Sequence, residues 1–286
     1  MIDALLRHLE LDTRPAADAE GLAVVHRRFL ERVSYDGLTA QLGEHAPLDA
    51  RALTERLLET GRGGYCFEIN TVLAALLEGL GFDVERREGV VGAREAFADG
   101  APTNHQALVV RAAGEAFICD AGWGEGFLEP LPLVPGTSSR GSLGWVVERT
   151  QDGGWWVQQH MWGSTPGFRF GDEVVPTRVF DPHHQRLASA ADSSFLQTLV
   201  VQKPLDDRIV TLRSRTLSEK GPHVDVKRVL GEASFARALT ETFNIDLDPA
   251  RVARLWDNAR AQHDAFTRSA SSPGSAAPSP APPASA

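Results

Sequence analysis

The sequence predicts an α+β fold, because three successive stretches of the chain carry three different patterns. Residues 1–82 repeat apolar side chains at helical spacing, residues 83–190 are rich in strand-like runs separated by turns, and residues 191–268 mix both patterns. The chain has 286 residues, of which 42% are hydrophobic and 23% charged, so it can bury a sizeable core. Residues 269–286 contain only Ser, Ala, Pro and Gly, and we expect them to be disordered because they cannot bury a core.

The clearest helix of the first stretch follows Cys66. Its apolar stripe starts at Ile69 and returns three, four, seven, eight and eleven residues later, at Val72, Leu73, Leu76, Leu77 and Leu80. Gly79 and Gly81 mark the end of this helix. Cys66 precedes Ile69 by three residues, so its side chain begins on the inward-facing stripe.

The second stretch predicts antiparallel strands that form a small barrel or a sandwich. Residues 83–91 are one candidate strand. Two hairpins follow, the first from residues 106–111 and 116–120 and the second from residues 145–148 and 154–159. The third stretch predicts strands at residues 195–202 and 209–213 and helices at residues 234–243 and 249–263.

Charge and cysteine content limit the partners and the compartment of the protein. The formal net charge of −9 argues against broad binding to nucleic acid or to an anionic membrane. The two cysteines, Cys66 and Cys119, are too few for a disulfide framework and fit a reducing compartment. No signal peptide or membrane span is visible, so we expect a cytoplasmic protein with no membrane and no nucleic-acid partner.

Cys66 is the leading candidate for a nucleophile. It follows the pair Gly63-Gly64 and opens the helix described above, and the positive end of a helix dipole favours the reactive thiolate form of cysteine. The alternative is a small buried side chain in a tight turn, as most free cysteines are.

A cysteine nucleophile needs a histidine base, and the histidine needs an orienting acid. A two- or four-residue turn centred on residues 113–114 places Ala107 opposite Asp120. His105 lies two residues from Ala107 on the same face, so His105 and Asp120 are diagonal neighbours with backbones about 7–8 Å apart. Cys119 then points to the opposite face, and we expect it to be structural. Alone, His105 and Asp120 would be ordinary strand and turn residues; together with Cys66 they favour a catalytic triad.

Asp120 is followed by a loop that contains three glycines, Gly122, Gly124 and Gly126. Backbone N–H groups of such a loop can hold a phosphate, so Gly122, Trp123 and Gly124 are candidate cofactor contacts. A plain turn explains the glycine spacing equally well.

These motifs together resemble those of the arylamine N-acetyltransferase family. Residues 62–68, Arg-Gly-Gly-Tyr-Cys-Phe-Glu, are similar to its nucleophile motif, and His105 with the apolar strand after it is similar to its histidine motif. Residues 120–124, Asp-Ala-Gly-Trp-Gly, are similar to its aspartate segment. The order of the motifs and their separation, 39 residues from Cys66 to His105 and 15 more to Asp120, also fit. The resemblance covers most of residues 1–265.

The resemblance implies an N-terminal helical bundle, a central antiparallel β-barrel and a C-terminal α/β lid on a cysteine-protease-like core. It also implies a ping-pong transfer of the acetyl group of acetyl-CoA to an arylamine, a hydrazine or an N-hydroxyarylamine, without a metal. Cys66 would carry the acetyl group, His105 would activate the thiol and deprotonate the amine, and Asp120 would fix the imidazole.

The chain departs from the family pattern at residues 35–38, at Asn104 and Gln106, and at Trp123. These departures concern the acceptor and the acyl group more than the triad. One alternative is therefore an amide synthase that takes its acyl chain from an acyl carrier protein and releases a polyketide as a macrolactam. A second alternative is a papain-like or transglutaminase-like hydrolase. A third is a binding domain without catalysis, against which the intact triad argues.

Overall fold

The computed structural model describes residues 1–94 and 102–271, and its N-terminal part is helical. Asp18 and Asp49 cap two of the helices, because each carboxylate accepts a backbone N–H from the first turn. The elements are α1 (Ile2–His8), α2 (Ala19–Arg32), a two-residue strand β1 (Tyr35–Asp36), α3 (Leu38–Leu42), α4 (Ala50–Thr60) and α5 (Cys66–Leu80).

Helix α5 is the centre of the helical part. Its predicted stripe from Ile69 to Leu80 is confirmed, and every residue of that stripe is buried. Gly81 ends the helix in the left-handed conformation with a φ of 99°. The stripe shares one apolar core with residues of α1, α2 and α4 and with one face of the strands that follow.

The middle of the chain forms an antiparallel sheet of eight strands that nearly closes into a barrel. The strands are β2 (Asp83–Val91), β3 (His105–Ala112), β4 (Glu115–Cys119), β5 (Leu131–Pro132), β6 (Gly136–Arg140), β7 (Leu143–Arg149), β8 (Trp155–Gln158) and β9 (Gly167–Phe170). Their order in the sheet is β5-β4-β3-β2-β9-β8-β7-β6, and both predicted hairpins are confirmed as β3–β4 and β7–β8.

The β3–β4 hairpin has the register that places His105 and Asp120 on one face. Ala113 and Gly114 both have positive φ, at 52° and 85°, as a two-residue turn of type I′ requires. Leu108 therefore lies opposite Cys119. Leu108 and Cys119 pack into the core of the helices, which confirms Cys119 as a structural residue, while alternate residues of β3 fill the barrel.

The C-terminal part is an antiparallel sheet packed against helices. Its elements are a 3₁₀ turn (Thr177–Phe180), α6 (Asp181–Ser189), α7 (Ser194–Gln197), β10 (Val200–Pro204), β11 (Ile209–Arg213), β12 (Thr216–Gly221), β13 (Val224–Val229), α8 (Glu232–Arg237), a π-helical turn (Ala238–Thr242) and α9 (Pro249–Ser271). The sheet order is β1-β10-β11-β12-β13, so the short strand β1 from the helical part supplies one edge.

Two sequence expectations for this part were wrong in their bounds. The strand expected at residues 195–202 begins only at Val200, because the Ser193 side chain accepts the Phe195 N–H and starts helix α7. Helix α9 continues past residue 263 to Ser271, three residues into the segment expected to be disordered, and the Ser269 hydroxyl donates to the Phe266 carbonyl within it. Residues 272–286 lie outside the described residues. Within the described ranges, no helix is both long enough and apolar enough to cross a membrane.

Candidate active site

The loop before Cys66 is held in place by buried charges. Gly64 has a φ of +87°, and a Cβ there would lie 2.7 Å from the Arg56 guanidinium, so only glycine fits this position. Arg56 forms an ion pair of 2.7 Å with Glu68, in the first turn of α5. The Gly64 N–H donates to the Asp36 carboxylate over 2.8 Å. Cys66 is thereby fixed as the first residue of α5, where the thiol meets the positive end of the helix dipole.

The Cys66 side chain is buried except for 4% of its surface, and it faces a cavity. Its thiol donates to the carbonyl of Asn104 over 3.3 Å. Gly122 packs directly against Cys66, since a Cβ on Gly122 would lie 2.7 Å from the Cys66 Cα. The loop after Asp120 therefore needs a glycine at this position for close approach to the cysteine.

The structure brings Cys66, His105 and Asp120 together, as the hairpin register predicts. His105 Nε2 lies 2.6 Å from Asp120 Oδ2, and both side chains are fully buried. Burial alone lowers the pKa of His105, but the Asp120 carboxylate and the neighbouring Cys66 thiol outweigh it and raise that pKa to about 10. His105 Nδ1 makes no hydrogen bond within residues 1–94 and 102–271, so this nitrogen is left for the thiol.

Asn70 holds the acid from the side of helix α5. Its Nδ2 donates to Asp120 Oδ1 over 3.0 Å and to the Gln106 carbonyl, and its Oδ1 accepts the N–H groups of Ala121 and Gly122. The Gly122 N–H also donates to Asp120 Oδ1 over 2.7 Å. Asn70 was not among the residues predicted from the sequence, although its signal was present: it is a polar residue four positions after Cys66 in a largely apolar helix.

A second histidine, His26, supports Asp120 from helix α2. Its Nδ1 donates to the Leu128 carbonyl and its Nε2 accepts the Asp120 N–H, both over 3.0 Å. Burial lowers the pKa of His26 to about 4, which keeps the ring neutral and able to accept. The His26 ring also stacks on the Phe127 ring, with 5.8 Å between the ring centroids. The sequence signal was a histidine within the apolar stripe of α2, and it gave no indication of its partner.

The cavity beside Cys66 has a volume of about 340 Å³ and a partly aromatic wall. The Trp123 ring meets the Phe168 ring edge-on, with 4.9 Å between the ring centroids. The His105 ring is tilted against the same Phe168 ring, with 5.0 Å between the centroids. The Trp123 indole donates to Thr165 Oγ1 over 3.0 Å, which fixes the ring in the wall. The lining also includes Tyr35, Glu125, Phe195 and Gln202.

Of the three predicted cofactor contacts, Gly122 and Trp123 line this cavity. The Gly122 N–H is already bound to Asn70 and Asp120, so it is not available to a phosphate. Gly124 has a φ of +71°, and a Cβ there would lie 2.6 Å from Gln202 Oε1, so this glycine lets the loop pass the C-terminal sheet.

A second cavity, of about 430 Å³, continues from the first along the C-terminal sheet. Both cavities are lined by Glu125, Ser164 and Arg213, so they meet at these residues. Lys220, Lys227 and His263 add further cationic or titratable groups to the second cavity. Within the described parts of the chain, no cluster of three or more His, Cys, Asp or Glu residues could hold a metal ion.

Comparison with known proteins shows which family this chain resembles. A model of the N-acetyltransferase family matches residues 18–252. An arylamine N-acetyltransferase of Mycolicibacterium smegmatis is 29% identical over 278 residues, covering 88% of this chain and 97% of the relative. An arylamine N-acetyltransferase / N-hydroxyarylamine O-acetyltransferase of Salmonella typhimurium is 31% identical over 141 residues, 49% of this chain and 50% of the relative.

The fold agrees as well. The solved structure of the arylamine N-acetyltransferase from Mycobacterium abscessus has a TM-score of 0.81 at 27% identity, covering 91% of this chain and 95% of that one. The matched family segment contains Cys66, His105 and Asp120 and spans most of the chain. The chain belongs to the arylamine N-acetyltransferase family.

Proposed function

We propose that the protein transfers an acetyl group from acetyl-CoA to an arylamine, a hydrazine or an N-hydroxyarylamine through an acetyl-Cys66 intermediate. The observation that carries this proposal is the buried arrangement of Cys66, His105 and Asp120 beside one cavity, in a chain of this family. Cys66 is the nucleophile, His105 the base and acid, and Asp120 the residue that orients the imidazole.

In the first half-reaction, the Cys66 sulfur attacks the thioester carbonyl of acetyl-CoA. The raised pKa of His105 favours an imidazolium beside a thiolate, which is the reactive form of the pair. Cys66 N–H lies at the start of α5, outside the internal ladder of the helix, and can donate to the oxyanion. When the tetrahedral intermediate collapses, the C–S bond to CoA breaks and the imidazolium proton goes to the departing CoA sulfur.

In the second half-reaction, the acceptor nitrogen attacks the acetyl-Cys66 carbonyl. His105 Nδ1 takes a proton from that nitrogen, the bond to the Cys66 sulfur breaks, and the thiolate–imidazolium pair is restored. The Asp120 carboxylate stabilises the imidazolium across the contact at Nε2.

The second cavity supports CoA as the donor. Its Arg213, Lys220 and Lys227 place positive charge beside the catalytic cavity, where the phosphates of CoA can bind while the thioester reaches Cys66. Gly122 and Trp123 would contact the thioester end by packing, because the Gly122 N–H is engaged within the protein. We propose that Gly124 does not contact the cofactor itself and acts by setting the course of the loop that carries Gly122 and Trp123.

The first cavity supports a small aromatic acceptor. Its volume of about 340 Å³ is at the lower end of the range for small-molecule sites, and its wall contains Trp123 and Phe195. The name of the Salmonella relative includes O-acetylation of N-hydroxyarylamines, which supports extending the proposed acceptor class to that chemistry. Such a volume favours a small amine over the extended polyketide chain that an amide synthase releases.

The decisive experiment is mass spectrometry of the intact protein after incubation with acetyl-CoA. We expect a mass increase of one acetyl group on Cys66, lost in Cys66→Ala, kept in the control Cys119→Ala, and discharged when para-ethylaniline is added. Without that adduct, turnover of an acyl-carrier thioester would instead identify an amide synthase, and cleavage of a peptide a hydrolase.

A further inference from the structure

The carboxylate of Glu125 stands where the two cavities meet. The residue is only 5% exposed, and it lines the cavity that holds Cys66 as well as the second, cationic one. Loop and sheet fix its two oxygens. Oε1 accepts from Gln202 Nε2 over 2.7 Å, while Oε2 accepts the Ser164 N–H over 2.6 Å and Gln159 Nε2 over 3.3 Å.

All three donors to Glu125 are neutral, so its negative charge is held in place without being balanced. Glu125 makes no ion pair with any cation of residues 1–94 and 102–271. Arg213 lines both cavities as well, but it is exposed and forms no ion pair of 4.0 Å or less with Glu125. A buried carboxylate without a cation is costly, and a positively charged ligand in the cavity would remove that cost.

We propose that Glu125 makes this site selective for aromatic amines that carry a second, cationic group at the end of the ring remote from the reacting nitrogen. This proposal rests on the proposed function, since it concerns the acceptor of the second half-reaction. With the reacting nitrogen at Cys66, the far end of a para-substituted ring extends into the cavity that Glu125 also lines. An ammonium or amidinium group there donates to the carboxylate, whereas a carboxylate on the acceptor is repelled by it.

The acceptor is the appropriate ligand for this charge, because the donor does not supply a cation. The reacting end of acetyl-CoA is neutral and its phosphates are anionic, so Glu125 gives it no electrostatic attraction. The basic residues of the second cavity, among them Lys220 and Lys227, match the phosphates instead.

The test is a series of three acceptors of similar size, para-aminobenzylamine, para-ethylaniline and para-aminophenylacetate. Their remote groups are cationic, neutral and anionic, and a methylene insulates each from the reacting aniline. We expect the wild-type kcat/KM to be highest for para-aminobenzylamine and lowest for para-aminophenylacetate. Product analysis checks that the anilino nitrogen is the one acetylated.

The variant Glu125→Gln removes the charge and keeps the shape, and the Gln202 amide can turn its oxygen to the new NH₂ group. The ratio of kcat/KM for the cationic over the anionic acceptor should fall by about tenfold or more. Glu115→Gln, which makes the same charge change at an exposed position of the β3–β4 hairpin, should leave the ratio unchanged.

A wild-type preference for para-aminophenylacetate would overturn the inference, and Arg213→Gln would then show whether Arg213 is the group that attracts it. An unchanged ratio in Glu125→Gln would overturn it too. If that variant does not fold, the wild-type series decides alone. Failure of the wild type to acetylate para-ethylaniline would instead count against the proposed function, so the two failures are distinct.

Discussion

The backbone N–H of Asp120 donates to Nε2 of His26 over 3.0 Å, so a second, neutral histidine holds the residue whose carboxylate contacts His105. Replacing His26 with Phe keeps the stacking on Phe127 but leaves the buried N–H without an acceptor. We expect the free energy of unfolding to fall by about 1–3 kcal/mol. Chemical denaturation, with the exposed His45→Phe as control, measures this loss.

If His26 positions Asp120 for the reaction, His26→Phe should lower kcat for acetyl transfer more than it changes KM. A merely structural role would lower the amount of folded enzyme and leave both constants of that enzyme unchanged. Kinetics normalised to the fraction of protein whose Cys66 accepts acetyl separate these two outcomes.

Asp120→Asn tests the charge beside His105. The Asn oxygen can replace Oδ1 as acceptor for Asn70 and Gly122, so the loop should keep its course. The NH₂ group of the new Asn then faces His105 Nε2, which must accept from it, so the ring proton of the neutral imidazole moves to Nδ1. Nδ1 can then no longer act as the base. We expect kcat to fall by about four orders of magnitude with little change in thermal stability. A loss of tenfold or less in steady-state kinetics would remove Asp120 from its proposed role.

The pKa of His105 predicts a pH dependence of stability. Its folded pKa of about 10 lies above the ordinary value of 6.5, so its contribution is complete below pH 6.5 and disappears as the pH rises towards 10. Over this range we expect the free energy of unfolding to fall by about 2–5 kcal/mol. Denaturant titrations at several pH values measure the decline.

The variant His105→Gln should lack most of this decline. Other groups titrate in the same range, among them Lys203, whose burial lowers its pKa to about 8. Because these groups are common to both proteins, the difference between the two curves isolates His105. Parallel curves would contradict a strongly raised pKa.

Gly122→Ala tests the close approach of the loop to the nucleophile. A methyl group there would lie 2.7 Å from the Cys66 Cα and 2.8 Å from Asn70 Nδ2, so one of them must shift. Displacements of about 1 Å at a reacting centre cost about a hundredfold in rate, and we expect a loss of that size in Cys66 acetylation. Gly126→Ala, in the same loop with its nearest contact at 3.4 Å, should retain activity. Equal rates for the two variants would show that the approach is unimportant.

Some of the site could be predicted from sequence because it depends on local rules. The two residues at the β3–β4 turn fix the parity of the hairpin, and parity alone puts His105 and Asp120 on one face. The glycine pair and the periodic stripe locate Cys66 at a helix start by equally local signals.

The supporting residues could not be predicted in this way. His26 and Glu125 reach their partners through packing between elements far apart in sequence. His26 is 94 residues from Asp120, and Glu125 is 77 residues from Gln202. No spacing rule relates such pairs. The short helix α7 was missed for a different reason: a single side-chain cap at Ser193 overrode a segment with strand-like composition.

Strand β1 has a consequence for when the enzyme becomes active. Tyr35 pairs with Gln202 across 167 residues, and the next residue, Asp36, binds both the N–H and the carbonyl of Gly64 in the loop that fixes Cys66. Contacts so far apart in sequence form late in folding. During synthesis, the chain that carries Cys66 emerges long before β10 exists. We therefore expect the loop before Cys66 to reach its final position only after β10 has paired with β1, so that incomplete chains lack a finished acyl-transfer site.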